Sequence, residues 1–150
     1  MLDFMKRVLS RAVNKKSLES LAYSGSFDCF PEYHRAQYFH TDGDNSTFLE
    51  KAIRFGAKFQ ENENSSQVSL FGDASDVQIP EPIVPPCEEW NTMEKLAKEK
   101  EVVGIYISGH PLDDYKYEMK YFCNTKLQAL HNLESLVGKN LSFGGIVTNG

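Results

Sequence analysis

At 150 residues the chain has room for one ordinary domain, or for a smaller one with a tethered segment. Apolar residues make up 41% and aromatic residues 12%, enough for a core, which argues against global disorder. A net charge of −5 argues against a surface that grips nucleic acid everywhere, yet residues 1–16 set Lys6, Arg7, Arg11, Lys15 and Lys16 against Asp3 alone.

In chain order, Leu2, Met5, Val8 and Leu9 share one helical face and predict a short amphipathic helix. Asn14 is placed to cap a second helix with Leu18, Leu21 and Ala22 inward, and Gly25 is placed to end it. Pro31 suits the first turn of a third helix reaching about His40. After the loop "TDGDNS", Thr47 and Glu50 form a capping-box pattern that opens a fourth helix. Its stripe is Phe48, Leu49, Ala52, Ile53, Gly56 and Phe59. From Gln60 to Cys87 neither period persists, and Pro80, Pro82, Pro85 and Pro86 favour extended backbone, so this stretch reads as a linker. Trp90, Met93, Leu96, Ala97, Val103 and Ile107 predict a fifth helix, supported by Glu94 and Lys98 and stopped at Gly109-His110-Pro111. Leu112, Tyr115, Met119 and Phe122 predict a sixth. "LQALHNLESLVGKN" is ambiguous, and Leu141 to Val147 reads as β. The closing "LSFGGIVTNG" reads as a strand without a partner, as in a piece of a longer chain.

Cys29, Cys87 and Cys123 are far apart, no CxxC is present, and no His lies at metal-ligand spacing from a Cys. Free thiols in a reducing cytosol are the plain reading, and no signal peptide or spanning apolar run points to export or a membrane. Asp42-Gly43-Asp44 has carboxylates at a spacing that can hold a divalent metal. Thr47 and Ile53 stand where a calcium loop needs glycine and glutamate, so these acids read as a solvated loop before a helix. Asp113-Asp114 reads as acids in the first turn of the sixth helix, and His110 as a turn residue.

"VNKKSLESLAYSGSFDCFPEYHRAQYF" carries more chemistry. It reads as helix, glycine turn, helix, with lysines at the mouth of the first and Arg35 in the second. Helix-hairpin-helix modules meet duplex phosphates with turn amides, a helix N-terminus and flanking basic side chains. A helical hairpin with merely exposed lysines fits the same spacing.

"RAVNKKSLESLAYSGSFDCF…HRAQYF", "QVSLFG" and "EKEVVGIYISGHPLDDYKYEM", in that order, resemble the family C bacterial replicative polymerases, the DNA polymerase III alpha-subunit family. The likeness covers essentially the whole chain; the family's glycine turn stands here as Gly25-Ser26-Phe27, a mild departure. The resemblance implies a mainly α segment in four parts. These are a helix-hairpin-helix domain over 1–60, a flexible linker over 61–87, a helical pair over 88–124, and the start of an oligonucleotide-binding (OB) barrel over 125–150. It further implies backbone contacts to double-stranded DNA from Arg11, Lys15, Lys16, Gly25, Ser26 and Arg35. In the linker it implies a peptide, Gln67-Val68-Ser69-Leu70-Phe71, that docks on the sliding clamp, the beta subunit. Physical reasoning agrees that an exposed Leu70-Phe71 pair in a polar stretch needs burial, worth about 1.5–3 kcal/mol per side chain before ordering costs. The catalytic palm of such polymerases lies outside these residues. The implied chain is therefore non-catalytic, without a cofactor of its own, Mg2+ belonging to the parent polymerase. Its partners would be DNA, the clamp and the rest of the holoenzyme in the cytoplasm. A purely structural connector and a free-standing repair accessory are the competing readings.

Overall fold

Residues 1–8, 13–41, 43, 45–68 and 79–147 are described by a computed structural model, 64–68 by backbone alone. They divide into two units, Met1–Ile105 and Tyr106–Gly150. The chain is mainly α, as its periodicity predicts.

In the first unit, helix α1 (Leu2–Arg7) buries Met5 against helix α4 (Phe48–Val68). The two backbones meet at Gly56, where an added Cβ would lie 2.3 Å from the Met5 carbonyl oxygen. Only glycine permits that approach. Lys6 lies over the Phe55 and Phe59 rings, 5.2 and 5.0 Å from their centroids, and Gln60 Nε2 donates to the carbonyls of Lys6 and Val8 at 3.0 and 2.7 Å. Phe55, outside the predicted stripe, is therefore buried beneath α1.

Helix α2 (Lys15–Tyr23) starts as predicted, with Asn14 Oδ1 accepting from the Ser17 N–H at 2.8 Å. It ends as a Schellman motif: Ser26 N–H donates to the Leu21 carbonyl and Gly25 N–H to that of Ala22, with Gly25 at φ +84°. Leu18 and Ala22 are buried, while Leu21 faces outward. Helix α3 is short (Arg35–Phe39), because residues 31–32 form a turn and the chain stays extended through His34. Thr47 and Glu50 cap α4 reciprocally at 3.0 and 3.2 Å. Phe48, Leu49 and Ala52 then join Met1, Met5, Leu18, Ala22, Phe27 and Tyr38 in the core. Burial of each large member contributes about 1.5–3 kcal/mol.

Two further boundaries differ from the sequence reading. Helix α4 continues to Val68, past the linker boundary at residue 61, on the helix propensity of Gln and Glu and against that of Asn and Ser, without an apolar stripe. The described end of that linker is not loose either. Val84 packs on the core, Pro85 is buried, Gln37 Nε2 donates to the Pro85 carbonyl at 3.2 Å, and Lys6 meets Glu81 at 3.5 Å. Helix α5 (Thr92–Val103) opens with an Asn91–Glu94 capping box and stops at Gly104, φ +87°, five residues before the predicted stop. A left-handed residue there breaks the stripe that Val103 and Ile107 continue in the sequence. Lys98 pairs with Glu101 at 3.0 Å rather than with Glu94, whose carboxylate serves the cap.

In the second unit, Asp113 Oδ2 accepts the His110 N–H at 2.7 Å and His110 Nδ1 accepts from Leu112 at 3.1 Å, a turn as read. A 3-10 turn (Asp113–Tyr115) leads into helix α6 (Lys116–Phe122), and two more follow at Leu127–His131 and Leu133–Leu136. Among the described residues there is no strand, only an isolated Thr41–Thr47 bridge in the first unit, so the predicted OB start over 141–147 is not seen. That stretch has β propensity but no neighbouring strand to pair with. Its Ser142 meets Asn124 instead, accepting from the Asn124 N–H at 3.2 Å and donating its own N–H to Asn124 Oδ1 at 3.0 Å.

Candidate nucleic-acid interface

The basic start of the chain is largely paired within the molecule. Lys15 opens α2 and its Nζ lies 2.6 Å from Glu50 and 3.5 Å from Glu19. Glu50 raises the pKa of Lys15, and Lys15, with the Thr47 N–H, holds that of Glu50 low. Arg7 pairs with Asp3 at 2.6 Å. Lys16 is exposed and, among the described residues, makes no ion pair. Arg11 lies outside the described residues.

Gly25 and Ser26 occupy the turn, but their amides already close the end of α2, and the Ser26 hydroxyl shares a hydrogen bond with Ser24 at 2.8 Å. The turn is also not tight. Residues 24–34 separate α2 from α3, so no short hairpin aims the first amides of α3 beside the glycine.

Arg35 corrects the sequence reading. It is 5% exposed, its Nη2 2.7 Å from Asp28 Oδ2 and its Nη1 2.7 Å from Glu99, with the Nε hydrogen bond also on Asp28. A guanidinium held between two carboxylates beneath the surface cannot meet a phosphate. Gly25 makes room for it, since a Cβ there would lie 2.1 Å from Nη2. Arg35 thus ties the α2–α3 loop to α5.

Glu99 is the residue that sequence reasoning missed. It is fully buried and stands three residues after buried Leu96, on the inner stripe of α5. An acid at an apolar position was the available signal. The same joint is covered by aromatic rings: Trp90 stacks on Tyr23 and Phe39, centroids 5.9 and 5.5 Å away, and Lys98 caps Tyr23 at 4.9 Å.

Of the five residues expected to dock on a clamp, Gln67 and Val68 belong to the last turn of α4, described by backbone alone. Ser69, Leu70 and Phe71 lie outside the described residues, as do Asp42 and Asp44. No group of three or more His, Cys, Asp or Glu among the described residues is arranged to hold a metal ion. No described helix is long and apolar enough to cross a membrane.

No protein-family model matches the chain. Relatives do. It is 36% identical over 147 residues to a DNA polymerase III subunit alpha of Campylobacter jejuni, a match covering 96% of this chain and 11% of that protein. To the subunit of Treponema pallidum it is 31% identical over 161 residues, covering 95% of the chain and 13% of the relative. To that of Borreliella burgdorferi it is 31% identical over 152 residues, covering 98% and 12%. The chain thus spans about an eighth of the length of the relatives it matches, and, as a segment of that extent, it belongs to the DNA polymerase III alpha-subunit family.

Proposed function

We propose that this chain is a non-catalytic segment of a replicative DNA polymerase, acting in the cytoplasm to hold the sliding clamp through Gln67-Val68-Ser69-Leu70-Phe71. The observation that carries the reading is sequence identity over 95–98% of the chain to alpha subunits from three organisms. Gln67 serves as a polar anchor at the rim of a clamp pocket, and Leu70 and Phe71 fill it. A single short peptide loses conformational freedom on docking, so affinity is modest, about micromolar. DNA encircled by the clamp then raises the effective concentration.

The test is binding of the chain to the clamp of its own organism. Leu70→Ala with Phe71→Ala is expected to remove binding and leave the thermal midpoint within about 2 °C, the range of a neutral surface change. Unfolding of that double variant would put these side chains in the core and sink the tether.

For double-stranded DNA, support now rests on Lys16, with Lys15 free to exchange an exposed carboxylate pair for phosphate at small cost. Arg35 leaves the set. Contacts of this kind are weak, salt-dependent and indifferent to sequence. Glutamate at both Lys15 and Lys16 is expected to abolish duplex binding at low salt. The inward Arg35 favours a second reading, in which residues 1–105 connect parts of the polymerase and bind no DNA alone. Absence of duplex binding by the parent chain at low salt decides for that connector, and unchanged affinity in the double-glutamate variant removes Lys15 and Lys16 from the contact.

A further inference from the structure

All nine members of the core cluster fall between Met1 and Ala52, so helices α1 to α4 close the core of the first unit by themselves. Residues 81–105 lie over that core and reach it at separate points. Val84 packs against it, Lys6 meets Glu81 at 3.5 Å, and Gln37 donates to the Pro85 carbonyl at 3.2 Å. Trp90 stacks on Tyr23 and Phe39, and Lys98 caps Tyr23 at 4.9 Å. Helix α5 buries only Leu96 and Glu99, while its Met93 and Val103 are exposed.

The same stretch carries its own local order. The Asn91–Glu94 box opens α5, Lys95 pairs with Glu89, and Gly104 ends the helix with nothing within 4 Å of an added Cβ. Helix ends set by near neighbours do not depend on the core.

The charged joint is also one that can part. Arg35 is held by Asp28 through Nε and Nη2, at 3.0 and 2.7 Å, and by Glu99 through Nη1 at 2.7 Å. Were α5 to leave, Arg35 would keep Asp28, whose side chain is already 49% exposed, and Glu99 would return to water. In a buried ion pair the rehydration of freed charges offsets much of the lost attraction, whereas parting apolar faces has no such offset. The joint is therefore easier to open than the apolar core beside it.

We propose that residues 81–105 form a releasable strap, which leaves and rejoins helices α1 to α4 as one unit while that core stays folded. Docked, it covers Arg35 and the Tyr23–Phe39 stack. Released, it uncovers them and turns a held segment into free chain, each freed residue spanning at most about 3.3–3.6 Å. The strap is thus a reserve of length, drawn out by a pull on the chain beyond Ile105 and taken back on redocking. Sub-global opening of this kind belongs to segments fastened by few buried contacts. The inference does not involve DNA or clamp binding, so its test stands apart from theirs.

The experiment is native-state hydrogen exchange of the 150-residue chain, read by NMR at sub-denaturing urea, with Trp90 emission followed alongside. Amides of 95–103 are expected to share one protection level, roughly tenfold or more below that of 52–58 in α4. Glu99→Ala should lower protection over 95–103 by roughly a further tenfold and shift Trp90 emission, leaving 52–58 unchanged. Equal protection of the two helices in the parent chain would overturn the proposal. So would protection in α5 that falls gradually toward the helix ends, which is fraying rather than release of a unit. A Glu99→Ala variant that loses both helices together would show strap and core to be one cooperative body, and overturns it as well.

Discussion

The two units keep their large apolar residues in opposite places. Met1–Ile105 buries Phe27, Tyr38, Phe48, Leu49 and Leu96 almost completely, whereas Tyr106–Gly150 leaves Tyr117, Phe122 and Val137 at 77, 76 and 81% exposure. The first is closed by contacts that reach across the chain, such as Arg35 to Glu99 and Gln60 to Lys6. The second is held by local polar bonds between Asn124 and Ser142 and between His110 and Asp113. A helix becomes part of a core only when distant sequence returns to cover its apolar face. α5 does so for the first unit; α6 presents aromatic rings that no described segment of its own unit covers.

The comparison breaks most readily at Arg35. Arg35→Ala takes the guanidinium away from the buried Glu99 carboxylate, and the expected loss is about 3–5 kcal/mol, read as a lowered midpoint in thermal melts. Emission from Trp90, the chain's only tryptophan, should change with it as the ring stack loosens. Arg35→Met with Glu99→Leu should recover most of that stability, since two apolar side chains replace two desolvated charges. A single variant as stable as the parent would show that the cluster does not close the unit.

Gly56→Ala tests the α1–α4 contact. In an ordinary helix this change adds stability, but here the methyl group meets the Met5 carbonyl rather than a flexible side chain. The expected result is a net loss of about 1–3 kcal/mol in urea titrations. A gain would mean that α1 shifts freely.

Asn124→Ala asks the converse question of the second unit. It should remove about 0.5–1.5 kcal/mol per lost bond and speed amide exchange at Ser142. Trp90 emission should not respond, because the bonds lost are confined to residues 124–142. A response at Trp90 would mean that the units do not behave separately.

Acid should produce the smallest effect. Lys15 holds Glu50 low, and the His110 N–H with Lys116 holds Asp113 low. A carboxylate whose folded pKa is depressed stabilises the fold above its unfolded pKa, near 4, and loses that contribution as pH falls through the folded value. Stability should therefore be flat from neutrality down to about pH 5 and decline below about pH 4. Asp113 is exposed and Glu50 only partly buried, so the decline is shallow and salt-sensitive. A steep loss beginning above pH 5 would point to a different, buried group.

Local chemistry was legible and distant chemistry was not. Asn14, Gly25 and the Thr47–Glu50 pair act within four residues of the ends they fix, and each helix end stands where these residues put it. The inward turn of Arg35 is shared between Asp28, seven positions away, and Glu99, 64 positions away, and the pairing with Glu99 cannot be read from the residues near Arg35. Residues 141–147 show the reverse failure: a local preference for strand without a neighbour has no structural consequence. The clamp peptide proposed at Gln67 to Phe71 was legible only through the family resemblance, because these residues interrupt a polar stretch and have no periodic partner near them.

The length of α4 has a geometric consequence. Twenty-one helical residues form a stiff rod of about 31 Å, rooted at Phe48 beneath the core and ending at Val68. Whatever engages Ser69 and its successors is therefore offered from the end of a lever whose bearing is set by helical phase. One residue inserted between Gln60 and Gln67 would lengthen the rod by only about 1.5 Å but turn its exit by about 100°. Four inserted residues would nearly restore the bearing, so reach and direction can be varied one at a time.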